Sequence, residues 1–310
     1  MPVNFCHSGW SGLEMPAYSR PGHAGILPPM HASSTPKLNT ELAVSVVLFH
    51  SPLEHLQAMI DSLIASLVKA QLSAVGFVCV DHSENPDYAA KCRALLAKYD
   101  QREELCMRFV TTETNGGYGA GHNRAMAEIN SRFHLILNPD VEISSEDVGK
   151  ALEVFSGHGD LALLAPTGFS ATGKPEFLSK AYPSVWVLGL RAFAPDWMRA
   201  LCQNALSRYE MRDQQGAGPL RPITLASGCC MWVRRDVFDQ VGGFDEGFFL
   251  YFEDYDLSLK MAQHGSVMQH GELKVVHHGG EAAKKGWRHV QWFVGGATRF
   301  FNRWGWKWFG

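Results

Sequence analysis

No run of eighteen or more apolar residues occurs anywhere in the 310-residue chain, so no membrane span is expected. The N-terminus has no basic segment leading into an apolar stretch, and a secretory signal is not expected either. Neither sign of charge dominates: 28 Lys plus Arg stand against 31 Asp plus Glu, and without a basic field nucleic acid is not expected as a partner. Cysteines are few and unordered. Seven of them, with no CxxC pair, argue against a disulfide scaffold or a zinc site and read as reduced thiols. The chemistry is therefore expected in the cytoplasm. Internal repeats are absent, and the first forty residues, rich in Gly, Pro, Ser and His, read as a flexible tail.

What is present is core. The chain is 46% hydrophobic, and its length suits one large α/β domain or two small ones. Leu42 to Phe49 is a continuous β-branched run, as a strand buried on both faces requires. Pro52 opens a helix whose apolar residues, from Leu56 to Leu67, recur three and four apart. Val75 to Val80, Met107 to Thr111 and Phe133 to Leu137 read as further strands, with helices over Tyr88 to Tyr99 and from Gly121 to about Ile129. Such alternation predicts an open, mostly parallel twisted sheet, whose ligands bind beyond the carboxyl ends of the strands. Three polar elements stand at such ends: Phe49-His50-Ser51, Asp81-His82-Ser83 and Asn138-Pro139-Asp140. In the second half, Leu161 to Pro166 is a strand, residues 167–222 read as irregular with one helix near Asp196 to Arg208, and a helix begins around Leu257.

Several constellations could carry chemistry. Asp140, with Glu142 nearby, could hold Mg²⁺ or Mn²⁺ under a diphosphate leaving group; the bland alternative is an Asp that caps a turn. Glu253-Asp254-Tyr255-Asp256 puts three carboxylates in four residues behind the aromatic run Phe248 to Phe252. Acids suit a first helical turn, but crowded carboxylates beside apolar groups also have raised pKa values, which suits a general base. His277-His278 at a strand end could complete a metal site or could simply be packed. Asn115 to Gly121 matches no phosphate-loop spacing and reads equally well as a turn that needs positive φ.

The order of these pieces resembles the family 2 glycosyltransferases with the GT-A fold, more narrowly their rhamnosyltransferase-like branch, which builds bacterial surface polysaccharides. The resemblance covers about residues 42–305. It rests on Ser45 to His50, Val80 to Ser83, Asn115 to Asn123, Leu137 to Val141 and, above all, Gly242-Gly243-Phe244-Asp245-Glu246-Gly247-Phe248-Phe249-Leu250-Tyr251-Phe252-Glu253-Asp254-Tyr255-Asp256-Leu257. It implies a Rossmann-like, mostly parallel open sheet with helices on both faces and a C-terminal helical extension. It also implies a catalytic domain over 41–285, with a nucleotide-binding half at 41–145 and an acceptor-binding half at 146–285. The implied reaction is metal-dependent, inverting transfer of a sugar from a dTDP- or UDP-linked donor to a glycan or lipid-linked hydroxyl, with dTDP-L-rhamnose the expected donor. Asp81 would bind the pyrimidine base, within a donor set of Phe49, His50, Ser83, Asn115, Gly116, Gly119, Asn123, Asn138 and Lys284. Asp140 would bind the cation, completed by His277 or His278. Asp254, beside Glu253, would be the base, and Gly228, Cys229 and Asp256 would line the acceptor side. Asn138 stands where the family usually has the first Asp of its metal motif, His82 where it has Asn, and Lys260 where it has Arg.

A nucleotidyltransferase would share the open sheet and the acidic loop, but it should carry a glycine-rich N-terminal signature, absent around Phe49 to Pro52. A non-catalytic sugar-binding module would not need Asp140 and Asp254 together. Residues 286–310 hold five tryptophans among Arg and Lys. Such a segment can lie on an anionic bilayer or pack on the catalytic domain.

Overall fold

Each apolar run of the first half becomes a strand of one sheet. The structure, a computed structural model, describes residues 37–214, 219–279 and 286–309. The expected tail lies outside it up to residue 36, as does Lys284. In chain order the first half holds β1 (Leu38–Leu48), α1 (Leu53–Lys69), β2 (Val75–Asp81), α2 (Pro86–Leu96), β3 (Leu105–Thr111), α3 (Tyr118–Ala127) and β4 (Ile129–Leu137). There follow β5 (Val141–Ile143), α4 (Asp147–Gly157), β6 (Leu161–Ser170), β7 (Pro175–Glu176), β8 (Ser179–Lys180), α5 (Val185–Phe193), α6 (Asp196–Leu201) and α7 (Gln203–Tyr209). The chain continues through β9 (Leu220–Pro222), β10 (Leu225–Ala226), β11 (Cys230–Arg234), α8 (Arg235–Gln240), α9 (Glu253–Met261), β12 (Ser266–His277) and α10 (Trp287–Trp304).

The sheet runs in the order β3-β2-β1-β4-β11-β6-β12-β5. Pairs β1–β2, β1–β4, β2–β3 and β6–β12 are parallel, as alternation of strand and helix predicts. β11 lies antiparallel between β4 and β6 and joins the two parallel blocks. β2 is buried along its whole length, because helices cover both faces. One helix expected near Asp196 to Arg208 is two, broken at Cys202, and α9 begins at Glu253, four residues before the expected start. Left-handed backbone at Tyr251 and Phe252 (φ 73° and 69°) turns the chain sharply into that helix.

Register is what assembles the rim. Leu48 pairs with Asp81, and Asp81 with Thr111, so the ends of β1, β2 and β3 are level. Cys230 pairs with Leu137, and the Asn138 amide donates to the Cys229 carbonyl at 2.9 Å, which sets Gly228 and Cys229 beside the β4 exit. His277 pairs with Val141, next to Asp140. The C-terminal segment packs on the catalytic domain: α10 buries Phe300 and Phe301 among Phe248, Phe252, Val187 and Leu190. Among the described residues no helix is long and apolar enough to cross a membrane.

Candidate active site

A cavity of about 760 Å³ opens at this rim, and Asn138, Asp140, Asp254 and His277 all face it. Asp254 arrives on the first turn of α9. Its Oδ2 accepts from the Gly228 amide and its Oδ1 from its own neighbour, the Tyr255 amide, each at 2.9 Å. Gly228 is held in turn by the Tyr118 hydroxyl, which donates to its carbonyl at 2.5 Å. Burial pushes the Asp254 carboxyl above the usual range, against the pull of the two amides and of the nearby Lys180 ammonium. Glu253 is pushed up as well, by burial first and then by Asp254, but it does not face the cavity, and among the described residues its Oε2 has no hydrogen-bond partner.

Asp140 and His277 form the second cluster. His277 Nε2 is 3.6 Å from Asp140 Oδ2, and its Nδ1 is 2.9 Å from Glu176 Oε2. Although burial opposes the charge, the two carboxylates raise the imidazole to about 9. Burial likewise raises Asp140, but attraction from His277 wins and leaves that carboxyl below its ordinary value. The spot thus attracts positive charge. Among the described residues Asp140 Oδ1 is buried with no hydrogen-bond partner, and a Cβ on Gly279 would lie 2.5 Å from Asp140 Oδ2 and 2.6 Å from His277 Nε2. A carboxylate oxygen left without a partner among the described residues, beside a space that only glycine leaves open, fits a divalent cation, for which the imidazole would have to give up its proton. Among the described residues no three His, Cys, Asp or Glu side chains converge as a closed metal site, so any cation here would take its remaining ligands from elsewhere. Of the two expected histidines, His277 faces the cavity. His278 turns to Glu142 (2.5 Å) and packs its ring on His55, and only its backbone amide meets Asp140, donating to the carbonyl at 2.8 Å.

Asp81, expected on the pyrimidine base, does not line the cavity of Asp140 and Asp254 but faces a separate hollow of about 360 Å³ along with Arg93 and Thr111. Its Oδ1 accepts from the Ser83 amide at 2.8 Å, and the Ser83 hydroxyl accepts from the Asn85 amide. Phe49 is 58% exposed, and His50, at φ 54°, sets its ring between Phe49 and Tyr88. Asn115 Oδ1 accepts from the Gly117 amide, and Gly117 is at φ 93° with its Cα hydrogen side against the Phe249 carbonyl, where a Cβ would come within 2.2 Å. Gly116 and Gly119 pack against Ala120 and Phe244 respectively. These contacts answer to the turn reading of the loop.

Three expectations need correction. Asn123 was expected on the donor, but both ends of its amide are used by the chain: Nδ2 donates to the Phe244 carbonyl and Glu246, and Oδ1 accepts from the Phe244 amide. It braces the loop before α9. Asp256 was expected on the acceptor side, but it is fully buried on the other face of α9, where Oδ1 accepts from Arg303 at 2.8 Å and from the Trp304 indole at 2.9 Å. Cys229 does not face the cavity; burial pushes its thiol up to about 12. Sequence reasoning missed Glu176, Lys180, Arg191, Tyr209 and Glu210, all of which face the cavity from the stretch read as irregular. The one local hint is Lys180, a lone cation between Leu178 and Ala181-Tyr182.

The chain is similar to known proteins in sequence and in fold. In sequence the chain is 26% identical over 252 residues to the N-acetylglucosaminyl-diphospho-decaprenol L-rhamnosyltransferase of Mycobacterium tuberculosis H37Rv, covering 77% of this chain and 76% of that one. It is 23% identical over 175 residues to rhamnosyltransferase WbbL of Escherichia coli K12, covering 53% and 62%. In fold it is similar to GalNAc-T7 solved with UDP, GalNAc and Mn²⁺ (TM-score 0.58, 12% identity, 77% of this chain and 43% of that). It is also similar to the Pyrobaculum calidifontis mannosyltransferase PcManGT solved with GDP-Man and Mn²⁺ (TM-score 0.55, 12% identity, 84% and 64%). The chain spans under two thirds of both of these structures. Residues 46–242, more than half of the sequence, match Glycosyl transferase family 2, and the chain therefore belongs to that family of glycosyltransferases and has its GT-A fold.

Proposed function

We propose that the chain is a cation-assisted, inverting glycosyltransferase that moves L-rhamnose from dTDP-L-rhamnose to a hydroxyl of a lipid-linked or glycan acceptor in cell-surface polysaccharide synthesis. The observation that carries this reading is one cavity faced by both Asp254, a buried carboxylate of raised pKa, and Asp140, a carboxylate with an unsatisfied oxygen. Asp254 Oδ atoms, fixed by two backbone amides, would accept the acceptor hydroxyl's proton as its oxygen attacks the anomeric carbon; the diphosphate leaves from the opposite face, so the configuration inverts. Asp140 and His277 would hold a Mg²⁺ or Mn²⁺ ion, which when bound offsets the charge growing on the leaving diphosphate. Asp81, in its neighbouring hollow, would receive the base of the nucleotide. The curated relatives support the rhamnosyl reading by name alone.

Exposed aromatic and aliphatic side chains on α5, α6, α10 and the C-terminal end, among them Trp186, Trp197, Leu201, Trp287 and Trp308, would lie on an anionic bilayer that carries the acceptor. Flotation with phosphatidylglycerol vesicles tests this contact, and a chain that stays with the soluble fraction sinks it.

Incubation with Mn²⁺ and a panel of dTDP- and UDP-sugars, with mass spectrometry of the product, tests the main reading. Release of nucleoside diphosphate with a rhamnosylated acceptor is expected. Asp254→Asn should keep donor binding within about twofold and lose about 10²–10⁴ in turnover; transfer at the parent rate would end the base assignment.

A further inference from the structure

The cavity is lined by charges of both signs. Asp140, Glu176, Glu210 and Asp254 bring carboxylates to it, and Lys180 and Arg191 bring cations. Arg212 adds a further cation beside Glu210. Glu210 is already shared, at 2.6 Å from Arg212 and 3.6 Å from Arg191. Lys180 is only 5% exposed, and among the described residues its ammonium donates only to the Phe177 carbonyl and has no carboxylate within ion-pair distance. Its ammonium also lies about 5.8 Å from the centres of the Phe177 and Tyr209 rings. The fold builds this position deliberately: β8 pairs with β10, Lys180 against Leu225, three residues before the Gly228 that holds Asp254.

A buried ammonium without a counter-ion is costly, unless a ligand brings the missing charge. Burial, then the charge of Arg191, lowers Lys180 to about 7, which is the mark of a cation short of anions. Both Lys180 and Arg191 face the cavity, and a guanidinium presents the forked donors that a phosphate takes in pairs. The donor's diphosphate is already provided for at Asp140.

We infer that Lys180 and Arg191 form an anion subsite for a phosphate or diphosphate group carried by the acceptor. This rests on the glycosyltransferase reading above, and it gives the acceptor's anionic group cations of its own in the cavity that Asp254 faces. The phosphate then positions the attacking hydroxyl by its distance along the acceptor from that anchor. Lys180 and Arg191 are positioning residues; they touch neither the anomeric carbon nor the proton in transit.

The test is calorimetric titration of the full chain in EDTA, where Asp140 lacks its cation, with geranyl diphosphate in one arm and N-acetylglucosamine 1-phosphate in the other. The parent chain should bind at least one of them. Arg191→Met and Lys180→Met should each weaken that binding tenfold or more, Lys180→Arg should retain it, and Asp140→Asn should leave it unchanged. The three variants other than Asp140→Asn should still bind dTDP with Mn²⁺ like the parent. Preference for geranyl diphosphate assigns a lipid-linked acceptor, and preference for the sugar phosphate a soluble one. Arg191 is half exposed, so its replacement folds even where that of Lys180 does not. No binding by the parent chain, or equal binding by Arg191→Met, overturns the subsite, and neither result depends on whether sugar is transferred.

Discussion

Replacing Gly279 with alanine should injure the cation site and little else. The new Cβ would lie 2.5 Å from Asp140 Oδ2 and 2.6 Å from His277 Nε2, whereas ordinary contact begins at 3.4 Å. The Asp140 carboxylate must therefore retreat by roughly 0.9 Å, while metal–ligand distances tolerate only about 0.2 Å. Misplacing a ligand to this degree costs about 10–100-fold in cation affinity, or about 1.4–2.7 kcal/mol. The backbone of Gly279 is not in the left-handed region, so the substitution strains no dihedral. The half-saturating Mn²⁺ concentration for nucleoside diphosphate release should rise by that factor, with the thermal midpoint nearly constant. Gly286→Ala is the control, since among the described residues no heavy atom lies within 4 Å of its added Cβ. An unchanged Mn²⁺ requirement in Gly279→Ala would show that the cation does not sit between Asp140 and His277.

Other expectations follow from burial and charge. The kcat/KM profile should have an acid limb whose midpoint lies above the ordinary aspartate value, because burial raises Asp254 and a base must first lose its proton; a flat profile from pH 4 to 7 contradicts this. Asp256→Ala should lower stability by about 1–3 kcal/mol by stripping partners from Arg303 and Trp304, and calorimetric melting would read it; a normal melt with lost acceptor binding would restore Asp256 to the acceptor side. His122 and His134 share the Ser45 hydroxyl in the core, each at 2.7 Å, and burial lowers His122 to about 3 and His134 well below its ordinary value. Both are neutral when folded and bind protons when unfolded. Stability is therefore whole above about pH 6.5 and should fall by about 1.4 kcal/mol per pH unit for each as pH drops toward 3; denaturant melts at pH 6 and pH 4.5 with equal midpoints would refute it.

The sheet was legible because its strands are continuous apolar runs, buried on both faces and bounded by turn residues. β11 hides in a block whose cysteines, Met231 and Trp232 give no clear period, and α4, which begins four residues after β5 ends, gives no separate signal. Site residues failed where adjacency in sequence says nothing about direction. His277 and His278 are neighbours on an extended chain, so their side chains leave on opposite sides, and the sequence alone offers both. Asp254 and Asp256 are two apart on a helix, about 200° around its axis, so only one can face the cavity. The cations of the cavity are invisible in the sequence because Lys180 on β8, Arg191 on α5 and their neighbour Glu210, just past α7, share no spacing.

Helix α9 answers to two masters. Its inner side presents Asp254, and its outer side is clamped through Asp256 to Arg303 and Trp304, sixty residues beyond the end of the family match at 242. A chimera or truncation cut at that boundary would inherit most of the sheet and the hollow that Asp81 faces, but not Asp254. One trimmed only before Arg303 would carry the carboxylate on a helix with its outer fastening undone. Engineers exchanging donor halves between relatives should therefore move the last helix together with the acidic turn, as a single cassette.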